Sequence, residues 1–348
     1  MDLKELTIEE YFEQLSIKDV ERGFPYHINY IARYIENATK LYNNIHPLIE
    51  EGASLINKIC LNNHGVEHIK TVIHRASPLV STPGFELSPY ELYVLLMGIH
   101  LHDVGNILGR EDHEKKITNI ISLIAEHMSA LSFEDGIEEE SITDIASAHG
   151  GGIDSFMSLD NDMRILDQPV RGQYIAAIIR IADEIADDAR RAKTFLLKTG
   201  KLPEESNIFH LYSYCLKTAE YKPASKCISY IFRIEEEYVH RTYKKGDEEV
   251  YLIDEIYERT LKTFKESVMC AKMLRPYIFI DRVRVLINII LNERDQYGRT
   301  QKKIIQYDLN DFGYPKVEFN QLCPKITPLT GQVISSQLKN KKFEDVRC

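Results

Sequence analysis

Several signatures of common protein classes are missing from this 348-residue chain. Its six cysteines form no Cys-x-x-Cys pair, which argues against a zinc knuckle or a disulfide framework and indicates reduced thiols. It has no Gly-x-x-x-x-Gly-Lys and no Gly-x-Gly-x-x-Gly, so a glycine-rich cradle for phosphates is not expected. No run approaches the roughly 18 apolar residues of a membrane span, and the first residues lack the layout of a signal peptide. We therefore expect a cytoplasmic protein with no membrane partner.

Length and composition are those of an ordinary globular protein with room for two domains. The chain has 44% hydrophobic and 28% charged residues, and a domain usually contains about 100–200 residues. Its net charge of −10 argues against a large contact with the phosphate backbone of nucleic acid, although a local basic cleft can exist within an acidic average. We therefore expect a partner other than nucleic acid.

The stretch 98–106 follows a segment whose apolar residues recur at helical spacing. This apolar stripe consists of Leu92, Leu95, Leu96 and Ile99. His102 and Asp103 continue the stripe, so both side chains are predicted to face the core before the helix ends at Gly105. A buried imidazole beside a buried carboxylate is destabilising unless each has a partner, and a metal ion satisfies both. The pattern therefore favours a metal site here.

A second segment, 63–74, contains three histidines. Ile69 and Val72 put an apolar stripe on the side of His68, with His64 one turn earlier on that face, whereas His74 falls elsewhere. His68 is therefore the inward-pointing histidine. Its interpretation as a metal ligand depends on the histidine and aspartate that end the next helix.

Three later histidines border apolar helix faces. The first stripe contains Ile117, Ile120, Ile121 and Ile124. His113 begins this helix just after the histidine–aspartate turn, which favours a functional role, whereas His127 ends it and is interpreted as a core or C-terminal-turn histidine. His149 lies on the apolar side of the next helix, and Gly150–Gly152 follow it, which either lets the backbone approach a ligand closely or gives a flexible exit. The acid-rich segment 133–140 between these helices is interpreted as a solvated surface.

Another strong signal is an aspartate within an apolar helix face. The face consists of Ile175, Ile178, Ile179, Ala182 and Ala186. Asp183 lies in this stripe and needs a cation, because an unpaired buried carboxylate is strongly destabilising. Arg180, Arg190 or Arg191 would satisfy it in a buried ion pair. A shared metal is the simpler explanation, since two separate helices direct acids and imidazoles inward.

The pattern changes after about residue 205. Strand periods at 227–234 and 281–291, a turn at 243–247 and a helical face at 254–274 predict a small α+β domain. The expected division is 1–59 as an N-terminal helical segment, 60–200 as a helical metal-binding domain, 205–320 as the α+β domain and 321–348 as a C-terminal tail, whose lysine-rich end at 339–342 is expected to be mobile. We expect the α+β domain to serve dimerisation or to cover the active site, with ligand sensing as the alternative.

The arrangement of His68, His102-Asp103 and Asp183, each at the core edge of its own helix, resembles the H…HD…D signature of the HD-domain metal-dependent phosphohydrolases. The likeness spans about residues 60–195 and depends on His-Asp-Val-Gly after an apolar helix and on the Arg-Ile-Ala-Asp run that ends the signature. The resemblance implies a mainly α fold, with an HD-type helical bundle beside the smaller α+β domain. It also implies that these four residues are the metal ligands.

The resemblance extends to particular groups of HD proteins. Asn106, the segment 109–114 and the run 182–185 ahead of Arg190 look most like HD proteins of bacterial conflict and defence systems, which implies a role such as antiviral defence. The HD-GYP cyclic-di-GMP phosphodiesterases differ, since they have lysine at the position of Asn106. They also have a second histidine and a Gly-Tyr-Pro run where Gly-Gly-Gly-Ile follows His149. Cyclic-di-GMP is therefore not the expected substrate.

We expect an enzyme that hydrolyses a phosphoester or phosphoanhydride of a nucleotide, cyclic nucleotide or short oligonucleotide. Mixed imidazole and carboxylate ligands suit one or two ions of Mn, Fe, Zn, Co or Ni better than Mg. Such an ion generates hydroxide from bound water and polarises a phosphoryl oxygen, and with two ions Asp103 is the natural bridging ligand.

Further roles follow for the remaining polar residues. By resemblance, His113 and His149 complete a second metal site or bind phosphate, and off the metal either could protonate the leaving alkoxide. Arg110, Arg180 and Arg190 are the predicted substrate-binding cations. Two alternatives stay open: a catalytically silent HD module that acts as a ligand sensor or scaffold for a partner effector protein, and a single-strand nuclease. A homo-oligomer is compatible with either.

Overall fold

The structure is a computed structural model that describes residues 6–15, 23–57, 60, 62–81, 86–294, 297, 300–311, 319, 323 and 325–347. The chain forms two compact units, Met1–Ala186 with Cys270–Ile278 and Asp187–Met269 with Phe279–Cys348. The first is helical and the second combines helices with a sheet, so the predicted mainly α fold with a smaller α+β part is confirmed. The helical unit ends earlier than the expected boundary at residue 200 and includes the N-terminal helices.

The helical unit contains nine α-helices within the described ranges. They are α1 (Ile8–Gln14), α2 (Tyr30–Lys40), α3 (His46–Asn57), α4 (Val66–Val80), α5 (Pro89–Leu101), α6 (Ile117–His127), α7 (Gly136–Ser147), α8 (Ile153–Met157) and α9 (Gly172–Glu184). A π-helical turn spans Leu41–Ile45, and 3-10 turns span Pro25–His27, Val104–Leu108 and His113–Lys116. Strands β1 (Met163–Ile165) and β2 (Gln168–Val170) form an antiparallel hairpin.

Helix α5 is the centre of this unit. Ser88 and Glu91 form a capping box at its start, with proline at the first helical position. Every residue from Tyr90 to Leu101 is buried, because α1, α2, α4, α7 and α9 pack around the helix. The sequence predicted a single apolar face, but the helix is apolar nearly all round, which is typical of a central core helix. The helix therefore ends in the interior, where the next two side chains are His102 and Asp103.

One surface prediction needs correction. The acid-rich segment 133–140 is not simply a solvated surface, because α7 begins at Gly136 and Glu138 is buried. The carboxylate of Glu138 accepts hydrogen bonds from the hydroxyl groups of Tyr30 and Tyr90, each at 2.7 Å. Of the two interpretations of His127, the C-terminal-turn histidine is correct, because His127 lies in the last turn of α6 with its side chain 64% exposed.

The second unit has further helices and a five-stranded sheet. The helices are α10 (Thr194–Lys198), α11 (Asn207–Cys215), α12 (Glu236–Val239), α13 (Leu252–Leu274) and α14 (Gly331–Lys339), the last turn of α13 belonging to the first unit. The strands are β3 (Leu216–Lys222), β4 (Cys227–Glu235), β5 (Thr242–Lys245), β6 (Glu248–Tyr251), β7 (Arg282–Arg294), β8 (Thr300–Asn310) and β9 (Val346–Arg347). Three 3-10 turns span Ala189–Arg191, Glu204–Ser206 and Pro223–Ser225.

The sheet has the strand order β3-β4-β7-β8-β9, and β5 and β6 form a separate hairpin. β4 pairs with β7, and β8 with β9, in parallel, while the other two pairs are antiparallel. The predicted alternation in β7 is correct, because Val283, Val285, Ile287 and Ile289 are all fully buried. One face of the sheet therefore forms the core of this unit.

The segment 321–348, predicted as a C-terminal tail, contains a helix and a strand among the residues that the structure describes there. Gly331–Lys339 is a helix with Thr330 as its N-cap, and β9 adds to the edge of the sheet. Ile334 and Phe343 are buried. The lysines at 339–342 suggested a solvated tail, but these apolar residues anchor the segment.

In the described ranges, no single helix combines the length and apolar character needed to cross a bilayer, although the Pro89–Leu108 and His113–His127 segments meet that test jointly across a 99° bend.

Candidate metal centre

Four side chains predicted as metal ligands converge in the helical unit. His68 lies in the first turn of α4, His102 and Asp103 follow α5, and Asp183 lies in the last turn of α9. The Nε2 atom of His68 is 3.4 Å from His102 Nε2, 3.4 Å from Asp103 Oδ2 and 3.1 Å from Asp183 Oδ1. We call these four residues the first cluster.

The spacing within the first cluster matches that of ligands around one ion. His102 Nε2 lies 3.5 Å from Asp103 Oδ2 and 3.6 Å from Asp183 Oδ1. Ligand atoms about 2.0–2.2 Å from a tetrahedral ion lie about 3.4 Å from one another. These five pairs of atoms are 3.1–3.6 Å apart, which is close to the spacing of ligand atoms around a divalent ion of the first transition row.

A second cluster consists of Asp103, His113 and His149. His113 Nε2 is 3.2 Å from Asp103 Oδ1 and 3.1 Å from His149 Nε2, and His149 Nε2 is 4.0 Å from Asp103 Oδ1. Because the first cluster uses Oδ2 of Asp103 and the second uses Oδ1, this one carboxylate joins them. The geometry is that of a bridging ligand between two ion sites.

Hydrogen bonds at Nδ1 fix the orientation of three histidine rings. The Nδ1 atoms of His102 and His149 each lie 2.7 Å from a backbone carbonyl oxygen three residues earlier, and His113 Nδ1 is 3.2 Å from the carbonyl oxygen of Arg110. A carbonyl oxygen only accepts, so Nδ1 carries the proton and a neutral ring presents its lone pair at Nε2. His113 and His149 then direct two lone pairs at each other, an arrangement that needs a cation or an extra proton between them.

The fourth ring is less constrained. His68 Nδ1 is buried and has no hydrogen-bond partner among the described residues. Its Nε2 atom nevertheless faces two carboxylates and His102. The donor set of imidazole nitrogens and carboxylate oxygens therefore fits a divalent metal, with His68, His102, Asp103 and Asp183 at one site and Asp103, His113 and His149 at the other.

In the first cluster, the pKa shifts show how protons on the histidines balance the negative charge of the two aspartates when no metal is bound. Burial raises the pKa of Asp103 and Asp183, but charge and hydrogen bonds from the surrounding histidines hold both well below the usual range. Burial lowers the pKa of His102, yet the two carboxylates outweigh it and raise this pKa to about 9. A proton on His102 thus supplies positive charge that a bound metal would replace.

In the second cluster, the pKa values of the two histidines are shifted in opposite directions. Burial, reinforced by the charge of His102, lowers the pKa of His149 to about 3, so this ring is neutral. Burial also lowers the pKa of His113, but its hydrogen bond and attraction to Asp103 outweigh that effect and raise the pKa. A neutral imidazole is the form that binds metal, which makes His149 the better prepared ligand of the two.

Each cluster has one member that is partly exposed to solvent. His68 and His102 are fully buried, whereas the side chains of Asp183 and His113 are 30% and 19% exposed. The sequence predicted Asp183 as an embedded core residue, but its carboxylate is only partly buried. Solvent therefore contacts one ligand of each cluster.

Two polar residues near the clusters were not predicted as part of the site. Asn106 donates from Nδ2 to Asp103 Oδ1 at 2.8 Å and to the backbone oxygen of Asp103 at 3.1 Å. The carboxylate of Glu114 lies 3.4 Å from His113 Nδ1. Both orient a member of the second cluster. The sequence contains only a weak signal for them, namely their position one to three residues from a predicted ligand.

The three predicted substrate-binding arginines occupy different environments. Arg110 is exposed, and its Nη1 atom lies 3.4 Å from Nε2 of the half-buried His64, whose ring centre is 5.5 Å from that of His68. Arg180 is buried and donates to the backbone carbonyl groups of Ala148, Gly150 and Gly151, on both sides of His149. Arg190 belongs to the second unit and donates to the carboxylate of Asp188. Substrate contact stays a prediction for all three.

Comparison with known proteins agrees with this site. A family model described as HD-CE matches residues 54–262, more than half of the chain. No curated protein and no solved structure matches the chain. The matched range contains all six residues of the two clusters, so the candidate metal centre lies within the HD-type domain.

Proposed function

Since this chain belongs to the HD-CE family, we propose that it is a metal-dependent phosphohydrolase whose active site is the pair of clusters joined by Asp103. The observation that carries the proposal is the convergence of Nε2 and carboxylate atoms at ligand spacing. Family membership alone supports an HD-type domain, and the clusters support a metal site. Hydrolysis of a phosphate ester is the reaction that such a site serves best.

Bound divalent ions would supply an activated water and would polarise a phosphoryl oxygen. The residues of the chain then have separate tasks. Asp103 holds the two clusters together through its two oxygens. His113 is more exposed than His149, so it is the histidine that a substrate oxygen can approach. In an enzyme with one ion, His113 is positioned to hold a phosphate oxygen or to protonate the leaving group.

Arg110 is the best placed of the predicted arginines for the substrate phosphate. Its backbone oxygen accepts from His113, while its guanidinium lies beside His64, whose ring is tilted against that of His68. The exposed guanidinium therefore lies between residues that border both clusters. An arginine in this position can hold a phosphate oxygen through charge-assisted hydrogen bonds.

The proposed substrate class is a nucleotide, cyclic nucleotide or short oligonucleotide, which follows from the resemblance to HD phosphohydrolases. A role in a conflict or defence system, a partner effector protein and a homo-oligomer are proposals of the same origin. None of them is needed for the chemistry at the clusters.

The test is metal content followed by phosphate release. The full chain, reconstituted with Mn²⁺, Fe²⁺, Zn²⁺ or Co²⁺, is incubated with a panel of nucleotides, cyclic nucleotides and short oligonucleotides. We expect the wild type to turn over a substrate. Both bound metal and turnover should be lost in His102→Ala and in Asp103→Ala. His127→Ala is the matched control, because this exposed histidine lies outside both clusters and its removal leaves turnover unchanged.

Metal bound without consumption of any substrate would contradict the proposed hydrolase and favour a ligand-sensing module. Cleavage of single-stranded DNA or RNA, with no action on the smaller substrates, would favour the nuclease. Turnover that persists in both cluster variants would place the active site elsewhere.

A further inference from the structure

Arg180 has an environment unlike that of a substrate-binding arginine. The residue is 7% exposed and lies on helix α9, one turn before Asp183. Its Nη1 atom donates to the carbonyl oxygen of Gly150 at 3.0 Å and of Ala148 at 3.4 Å, and Nη2 donates to Gly151 at 2.7 Å. The guanidinium also lies 5.3 Å from the centre of the Phe156 ring. These three hydrogen bonds all go to one backbone loop.

That loop is the one that presents His149. Helix α7 ends at Ser147, and the backbone nitrogens of Ala148, His149 and Gly150 donate to the carbonyl oxygens of Asp144, Ala146 and Ser147. The guanidinium binds the carbonyl groups that come next and places positive charge at this C-terminal end, where the helix dipole favours a cation. His149 follows directly, with its Nδ1 atom held by the carbonyl oxygen of Ala146. Arg180 therefore fixes the backbone on both sides of this histidine.

The same loop packs tightly against Glu114, which is the neighbour of His113 in the second cluster. A side chain at Gly150 would place its Cβ 3.0–3.2 Å from the side-chain carbons of Glu114, whose carboxylate is 3.4 Å from His113 Nδ1. Gly151 has a φ of +69°, which favours glycine. The position of the loop thus affects the separation of His113 and His149.

We propose that Arg180 is a positioning residue that holds His149 in place for the second metal ion, an inference that rests on the two-ion site of the proposed function. One helix, α9, then serves both sites: Asp183 is a direct ligand at the first, and Arg180 holds a ligand of the second. This role differs from the substrate contact predicted from the sequence. Loss of a positioning residue weakens metal binding, whereas loss of a substrate contact raises KM and leaves metal binding unchanged.

The test is a calorimetric Mn²⁺ titration of the full chain after chelator treatment, with metal analysis of the product. We expect two bound ions in the wild type. In Arg180→Met, which keeps most of the side-chain volume but no donor, the first ion remains. The affinity for the second falls about 10- to 100-fold, the usual effect of losing an outer-shell partner. His149→Ala loses the same ion, and Arg180→Lys retains part of the affinity because it keeps the charge.

Arg171→Met is the matched control. This arginine precedes the same helix and pairs with Glu91 instead of the loop, so both ions should remain even if stability falls. Unchanged affinity for both ions in Arg180→Met would overturn the inference, as would loss of both ions together in a folded Arg180→Lys variant.

The outcomes separate this inference from the proposed function. A wild type that binds two ions and hydrolyses nothing contradicts the hydrolase, while the Arg180 comparison still stands on the metal data. A wild type that binds one ion removes the second site and overturns the inference. If Arg180→Met does not fold, Arg180→Lys gives the same comparison, with a loss confined to the second ion supporting the role.

Discussion

Asp103 shows at the scale of one residue why the two clusters depend on each other. Its Oδ2 atom faces His68 and His102, while its Oδ1 atom faces His113 and accepts a hydrogen bond from Asn106. A rotation of this carboxylate would therefore disturb both clusters. The side chain that restricts the rotation is Asn106, which is itself buried.

Asn106→Ala removes the hydrogen bonds to Asp103 and leaves its carboxylate less well oriented. We expect Mn²⁺ affinity to fall about 10- to 100-fold, since outer-shell partners of metal ligands have effects of this size. Calorimetric titration measures the change. Asn44→Ala is the control, because the Asn44 side chain makes an exposed hydrogen bond to the Lys40 backbone and should not affect metal binding. Wild-type Mn²⁺ affinity in Asn106→Ala would show that the orientation of the Asp103 carboxylate does not depend on Asn106.

The sequence indicated which side chains converge but not the residues that contact them. His68, His102 and Asp183 follow apolar residues at helical spacing, which predicted that they face the interior, although Asp183 is 30% exposed. Asn106 contacts Asp103 because a 3-10 turn begins directly after the ligand, and no periodic pattern encodes that turn. Arg180 was predicted to bind substrate, because a guanidinium in the sequence shows its charge and not the carbonyl groups beside it.

At the scale of elements, buried polar groups connect helices that lie far apart in the sequence. Glu138 on α7 accepts from Tyr30 on α2 and from Tyr90 on α5, and its Oε2 atom also accepts from the backbone nitrogen of Glu134. Arg33 Nη1 lies 3.5 Å from the same oxygen. The carboxylate thus links three helices around the core.

Glu138→Ala leaves these buried donors without their acceptor. We expect the free energy of unfolding to fall by roughly 3–5 kcal/mol, the usual result of removing one member of a buried charged group. Chemical denaturation measures it. Glu140→Ala, an exposed position on the same helix, should change stability by less than about 0.5 kcal/mol. A similarly small effect at Glu138 would mean that the tyrosines find other acceptors.

The C-terminal segment provides a second test at this scale. Phe343 is 2% exposed although it lies in the expected tail, so Phe343→Ala should destabilise the second unit by about 3 kcal/mol through the cavity it leaves. Phe195→Ala is the matched control, because that ring is 78% exposed in the same unit. Thermal unfolding compares them. Equal melting temperatures would restore the interpretation of this segment as a tail.

At the scale of the whole molecule, each unit has its own buried charges, and those of the second unit predict a sensitivity to acid. Glu255 is buried and accepts from Arg259 at 2.6 Å and Lys245 at 2.8 Å. Burial raises the pKa of a carboxyl, but Arg259 and Lys245 outweigh it and lower the pKa of Glu255 below its usual 4.5.

A carboxyl with a lowered pKa stabilises the fold above its unfolded pKa, and that contribution disappears as the pH falls through the folded value. The stability difference between wild type and Glu255→Gln should therefore be largest above pH 4.5 and shrink below it. Denaturation at a series of pH values measures the difference. Glu258→Gln is the comparison at neutral pH and should lower stability less than Glu255→Gln, because the Glu258 carboxylate is 69% exposed. A stability difference independent of pH would mean that Glu255 stabilises the fold through packing and not through its charge.

The sequence predicted the two-part architecture from the change in period, which shifts from 3.6 residues in the first half to 2 in β4 and β7. It could not predict the boundary at Ala186 or the return of Cys270–Ile278 to the helical unit. Those features depend on which distant residues pack together. The central claim also depends on distant residues that pack together. It is that His68, His102, Asp103 and Asp183 bind one metal ion.

The most direct test of this claim is a crystal of the full chain grown with Mn²⁺ and measured at the manganese absorption edge. We predict an anomalous peak within about 2.0–2.4 Å of His68 Nε2, His102 Nε2, Asp103 Oδ2 and Asp183 Oδ1. A map with no peak among these atoms, or with Asp183 turned away from the histidines, would contradict it.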